Sequence, residues 1–159
     1  VLVVNKWDLR PAGLTTSTYG KYLRATLRGL TYAPIVFTTA TTGRNVDTVI
    51  DVARGLFRQA NTRITTAVLN KAIQIAQQLR HPRPRHGALG QIYYGTQVEV
   101  NPPTFVMFVN DPNLYDSTYR RYLENRFRAH LGLPEVPMRV FFKSRDRRPS
   151  TAILPVSST

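Results

Sequence analysis

Cysteine is absent from all 159 residues. That excludes disulfide cross-links, thiolate nucleophiles and cysteine-ligated metals, and it accords with a reducing compartment, the cytoplasm. No run of about 18 apolar residues occurs, so no membrane-spanning helix is expected. The opening residues lack the basic, apolar and small-residue zones of a secretory leader. They also lack an initiator methionine and begin in the middle of an apolar run, so the true N-terminus is expected upstream. Histidines are few and badly spaced for a metal: His81 and His86 share one loop and His130 is remote. Acids are the scarcest charge, 9 Asp and Glu against 22 Lys and Arg, for a net charge of +13 and a pI near 10.9. A surplus of that size favours a polyanionic partner, because each cation that neutralises a phosphate releases a counterion. Arginine predominates among the cations, which suits forked contacts to phosphate.

Apolar residues make up 42% of the chain, enough for a packed core. Two patterns divide it. Over residues 1–61, short apolar runs (VLVV at 1–4 and APIVFTTA at 33–40) alternate with helical periodicity. Tyr19, Tyr22, Leu23, Leu27 and Leu30 recur at helical spacing, as do Val46, Val49, Ile50, Ala53, Leu56 and Phe57 behind a start at Asn45 or Asp47. Strand–helix–strand–helix predicts parallel strands with crossover helices, an α/β arrangement. Over residues 62–143 the pattern predicts α-β-β-α-β: a three-stranded sheet with helices on one face, an α+β domain. Its first helix carries Ile64, Val68, Ala72, Ile75 and Leu79 as its stripe. Its first strand alternates Ile92, Tyr94, Thr96, Val98 and Val100 on the buried face. TFVMFVN is a strand apolar on both sides. Tyr119, Leu123, Phe127 and Leu131 line a long helix that Asp116 or Ser117 caps and Gly132 ends, and PMRVFFK is the third strand. Residues 144–159 have no periodicity and are expected to form a disordered tail.

One motif carries chemistry. Asn5-Lys6-x-Asp8 follows an apolar strand, where ligand loops of open sheets lie. A carboxylate such as that of Asp8 accepts both adjacent donors of guanine, the ring N–H and the exocyclic amine. The stem of Lys6 can cover the flat base, and Asn5 is suited to tie loops together. A phosphate cradle, G-x-x-x-x-G-K-[ST], is missing: Gly20-Lys21 is followed by Tyr22, and Thr15 stands where the first glycine would be. An Asp-x-x-Gly, whose carboxylate would organise Mg²⁺, is missing as well. The 159 residues alone are therefore expected neither to turn over GTP nor to hold it tightly.

NKWDL, a helix, and then PIVFTTATTGRNV together resemble the base-binding end of translation-factor-type GTPases. The resemblance implies that Thr39 and Ala40 form the second guanine loop, with the Ala40 N–H meeting the guanine carbonyl. RITTAVLNKAIQIA, IYYGTQ, NPPTFVMFVND and YRRYLENRFR are similar to the C-terminal domain of the Der (EngA) GTPases. This implies residues 1–61 as the C-terminal portion of a P-loop GTPase domain and 62–143 as a KH-like domain. It further implies GTP or GDP with Mg²⁺ as cofactors of the intact protein, and assembly of the large ribosomal subunit as the task. Ribosomal RNA and upstream GTPase domains of the same chain are the expected partners, with no membrane and no DNA.

Candidate phosphate contacts are Arg80, Arg83 and Arg85 in a proline-stiffened segment, Arg120, Arg121, Arg126 and Arg128 on the long helix, and Lys143. Tyr93, Phe108 and Phe141 are candidates for base stacking or for core packing. GALG at 87–90 has the letters of the KH backbone clamp but lies between a helix and a strand, not between two helices, and reads better as a flexible connector than as an RNA clamp. No residue is marked as catalytic. The competing reading is a stand-alone RNA-binding or protein-interaction module whose guanine loop is vestigial.

Overall fold

The computed structural model describes residues 1–84 and 87–145; Arg85, His86 and most of the expected tail lie outside the described residues. Two sheets follow each other along the chain. In the first, β1 (Leu2–Val4) pairs in parallel with β2 (Ile35–Phe37), in register Leu2↔Ile35 and Val4↔Phe37, and α1 (Thr16–Thr26) makes the crossover. The hydroxyl of Thr15 caps α1 by accepting from the Thr18 N–H at 3.1 Å. α2 (Val46–Ala60) closes this part. Its predicted apolar stripe exists but is largely open: Val46, Ile50 and Phe57 are 39%, 50% and 65% exposed. A two-stranded sheet has too little area to cover a 15-residue amphipathic helix.

The second sheet runs β3–β4–β5, and its elements follow the predicted α-β-β-α-β order: α3 (Thr66–Leu79), β3 (Ile92–Glu99), β4 (Thr104–Val109), α4 (Ser117–His130) and β5 (Arg139–Ser144). β3 and β4 are antiparallel, joined through the cis Asn101–Pro102 bond, and β4 and β5 are parallel. α3 and α4 pack on one face. Phe105, Met107 and Val109 of central β4 meet Leu69, Ile73, Leu123 and Phe127 there, in a core where most side chains are fully buried. Asp116 caps α4 through the Tyr119 N–H at 2.7 Å, and Gly132, at φ 68°, takes the left-handed turn that ends it.

Two expected faces are corrected. α3 buries Leu69, Ala72, Ile73 and Ala76, whereas Val68 and Leu79 are 49% and 59% exposed. The small Ala72 and Ala76 let α4 approach closely enough for the Tyr122 hydroxyl to reach the Ala76 carbonyl at 2.8 Å. Periodicity alone admitted several neighbouring stripes on so apolar a helix. β3 is also out of the expected phase. A bulge between Ile92 and Tyr94 shifts its alternation, so Ile92, Gly95 and Gln97 are buried while Tyr94 and Val98 are exposed.

Amide side chains supply what the second sheet lacks at its edge. Asn70 brackets Gly95, accepting from its N–H at 2.9 Å and donating to its carbonyl at 3.3 Å. Gln77, two turns further along α3, does the same to Ile92 at 2.9 and 3.2 Å. These pairs occupy backbone groups that β4 does not take and cover an edge that would otherwise recruit another strand. The two parts are also joined. Gln59 and Glu135 exchange hydrogen bonds at 2.9 and 3.3 Å, and the Asn101 N–H donates to the Ala60 carbonyl at 2.9 Å.

Candidate functional site

Parallel pairing sets the C-terminal ends of β1 and β2 side by side, so the loops leaving them converge. Asn5 stands at this junction. Its side-chain oxygen accepts from the Ala40 N–H at 3.1 Å and from the Thr38 hydroxyl at 3.2 Å. The Trp7 N–H donates to the Thr38 carbonyl at 3.0 Å, and the Trp7 ring packs on Phe37 with centroids 4.3 Å apart. Trp7 thus anchors a short 3-10 turn, Trp7–Leu9, which leaves the Asp8 carboxylate exposed to solvent. Lys6 precedes the turn in the left-handed region, φ 58°, and is exposed.

Thr39 is buried and bonds reciprocally with Arg44 through the backbone, at 3.1 Å in each direction, so it shapes the loop from inside. Ala40 is exposed, but its N–H is already engaged by Asn5; a guanine carbonyl at that place would share the donor in a three-centre bond. Thr38 and Trp7 were not legible as part of this site, because their roles arise only when the two loops meet. Asn45 was legible only as a helix start. It takes φ 59° and its side-chain amide turns back to donate to the Phe37 carbonyl at 2.8 Å. The arrangement suits recognition of a base edge; no cluster of three or more potential metal ligands occurs among the described residues.

The candidate arginines separate into groups. Arg121 donates to the Arg28 carbonyl at 3.2 Å, and the Arg128 guanidinium lies 4.3 Å from the Tyr32 ring centroid, so both face the α1–β2 connection. Glu124 sits beside them. Burial pushes its carboxyl up, against the opposing pull of Arg128 first and then Arg120 and Arg121; burial lowers the Arg128 guanidinium in turn. Arg80 and Arg126 both lie over the Tyr122 ring, at 5.4 and 5.6 Å. Arg120 lies 5.9 Å from the Phe142 ring. Arg83 is exposed, and Arg85 lies outside the described residues. Lys143 is remote from the helix group: it pairs with Phe108 across the sheet, on the face opposite the helices.

The GALG stretch ends packed. A Cβ built on Gly90 would meet Pro82 at 2.5 Å and the Tyr115 ring at 3.0 Å, and Asn110 stitches Leu89 and Gln91 to the end of β4 at 2.8 Å each. The Tyr115 hydroxyl is buried with no hydrogen-bond partner among the described residues, and burial raises it well above the ordinary phenol range.

Comparison with known proteins gives a consistent picture. The family description "KH-domain-like of EngA bacterial GTPase enzymes, C-terminal" matches residues 63–143. Proteins named GTPase Der match over 150 residues, 93% of the chain: 43% identical in Gloeobacter violaceus, 42% in a Synechococcus strain and 39% in Prochlorococcus marinus. The chain spans about a third of the length of these relatives, 33% in each case.

Proposed function

Because the chain belongs to the EngA (Der) family of GTPases, we propose that it supplies the guanine-recognition end of a GTPase domain, residues 1–61, and a KH-like docking domain, residues 62–143. The intact protein would bind GTP or GDP with Mg²⁺ and act in the cytoplasm in assembly of the large ribosomal subunit, where the KH-like domain would meet ribosomal RNA or a GTPase domain of its own chain. Asn5, Lys6, Asp8, Thr39 and Ala40 are the proposed guanine residues. One observation carries the reading: the Asn5 carboxamide holds the Ala40 N–H and the Thr38 hydroxyl together, so the two loops form one rim with the Asp8 carboxylate exposed on it.

Asp8 would accept both donors of guanine and Lys6 would lie over the base. Two charge-assisted hydrogen bonds, each about 1.5–3 kcal/mol, amount to about a hundred- to ten-thousandfold in affinity. The test is Asp8→Asn in a protein joined to its upstream GTPase segment, titrated with GDP and with xanthosine diphosphate. The expected result is loss of GDP affinity by that factor and a gain for the xanthine nucleotide, whose carbonyl replaces the guanine amine and accepts from the new amide. Unchanged GDP affinity would remove guanine recognition from this loop. The 159 residues alone are expected to show no Mg²⁺-dependent GTP turnover.

A further inference from the structure

The face of the second sheet that turns away from α3 and α4 carries no covering element among the described residues. Cross-strand register assigns to it Tyr94, Thr96, Val106, Phe108, Phe141 and Lys143, since Tyr94 pairs with Phe108, Thr96 and Phe141 both pair with Val106, and Lys143 pairs with Phe108. The β3 bulge is what turns Tyr94 outward. Its ring then stacks on Phe108, with centroids 4.6 Å apart and planes 19° from parallel. Tyr94 stays 41% exposed and Phe141 47% exposed. Arg139, at the start of β5, pairs with Thr104 and shares this face, and Arg145, just past its end, lies over the Tyr93 ring at 5.3 Å. Along the three strands the sole acid is Glu99, at one corner, where it accepts from the Thr104 hydroxyl at 3.4 Å. Flat rings therefore stand between cations that have no acidic partner among the described residues.

We propose that this helix-free sheet face is a stacking platform for unpaired RNA bases, with Phe141 and the Tyr94–Phe108 pair under the bases and Arg139 and Lys143 on the phosphates. The proposal rests on the reading that the KH-like domain docks RNA, and it moves the contact from the arginines of α4 to the opposite side of the sheet. The charge favours this occupant. A protein surface buried there would leave Arg139 and Lys143 to be desolvated, whereas a polynucleotide supplies an anion at each step and a π-face at each base. Aromatic stacking tolerates any base, so the platform selects unpaired RNA rather than a sequence.

The test uses the full 159-residue chain and a fluorescein-labelled, single-stranded 12-mer oligoribonucleotide containing 4-thiouridine, with anisotropy read across a KCl series. Phe141→Ala is expected to weaken binding about five- to a hundredfold with the salt slope unchanged, and Phe141→Tyr to restore it. Lys143→Gln is expected to lower the slope by about one. Ultraviolet crosslinks are expected to map to Tyr94 or Phe141. If Phe141→Ala and Tyr94→Ala bind as the parent does while Arg120→Gln with Arg121→Gln abolishes binding, the platform is wrong although RNA docking stands. If the parent chain binds no RNA and a separately produced GTPase domain protects this face instead, platform and RNA reading both fall. Melting curves that match the parent confirm that the exposed-ring variants remain folded.

Discussion

Gln97 offers the sharpest check on how the second sheet is assembled. The bulge in β3 turns this amide into the protein, where it is 4% exposed. Its oxygen accepts from the Ile64 N–H at 2.7 Å, and its nitrogen donates to the carbonyls of Thr62 and Glu99 at 3.2 and 3.1 Å. One side chain thus fastens two points of the α2–α3 connector to its own strand. Gln97→Met keeps the length and removes all three bonds. The half-buried Ile64 N–H loses its partner, which costs about 1–3 kcal/mol. Thr62 and Glu99 are exposed, so water replaces their bonds at a combined cost of about 1 kcal/mol. Burying a thioether in place of an amide returns about 1 kcal/mol. The net expectation is a loss of about 1–3 kcal/mol, read by urea unfolding with far-ultraviolet circular dichroism. Faster hydrogen exchange at the Ile64 amide should accompany it. A variant within about 0.5 kcal/mol of the parent, with Ile64 protection unchanged, would show that the amide is not what joins these segments.

Other expectations test other parts of the fold. Phe127, fully buried edge-to-face against Phe105 at 5.6 Å, should lose about 3–5 kcal/mol as Phe127→Ala, whereas Phe57→Ala on the open face of α2 should stay within about 0.5 kcal/mol; calorimetry of both variants checks the contrast. Gly90→Ala should destabilise by about 1–3 kcal/mol in the same assay, because a methyl meets the rigid rings of Pro82 and Tyr115. Burial, reinforced by Tyr122, pushes the Tyr119 hydroxyl up to about 12 from 10. Its folded value is the higher one, so its contribution is complete below pH 10 and lost as pH rises toward 12. Tyr119→Phe should flatten the fall in melting temperature over that window, and an unaltered slope would exclude this phenol as the cause.

Much of the architecture could be read from the sequence because periodicity reports local geometry. The α4 stripe of Tyr119, Leu123 and Phe127 is buried as its spacing required, the Asp116 cap and Gly132 stop occupy their expected places, and the α-β-β-α-β order holds. The position of the proposed guanine loop was legible for a related reason. Asn5, Lys6 and Asp8 are contiguous with a strand, and a strand end fixes where its loop emerges. The Thr38 partner of Asn5 was not legible, since it lies 33 residues away and only parallel pairing brings it to the carboxamide.

The sequence by itself determined the element types, the excess of positive charge and the absence of a phosphate cradle, all of which depend on neighbours within a few residues. The tertiary structure alone decided which faces those elements show. One extra residue in β3 inverted an alternation that had looked regular, burying Gln97 and exposing Tyr94. Packing against the α1–β2 connection half-buried Arg128 and gave the still exposed Arg121 a backbone partner there, while Arg139 and Lys143 were left on the open sheet. Register and burial depend on contacts between segments far apart in the chain, and a local pattern carries no record of them.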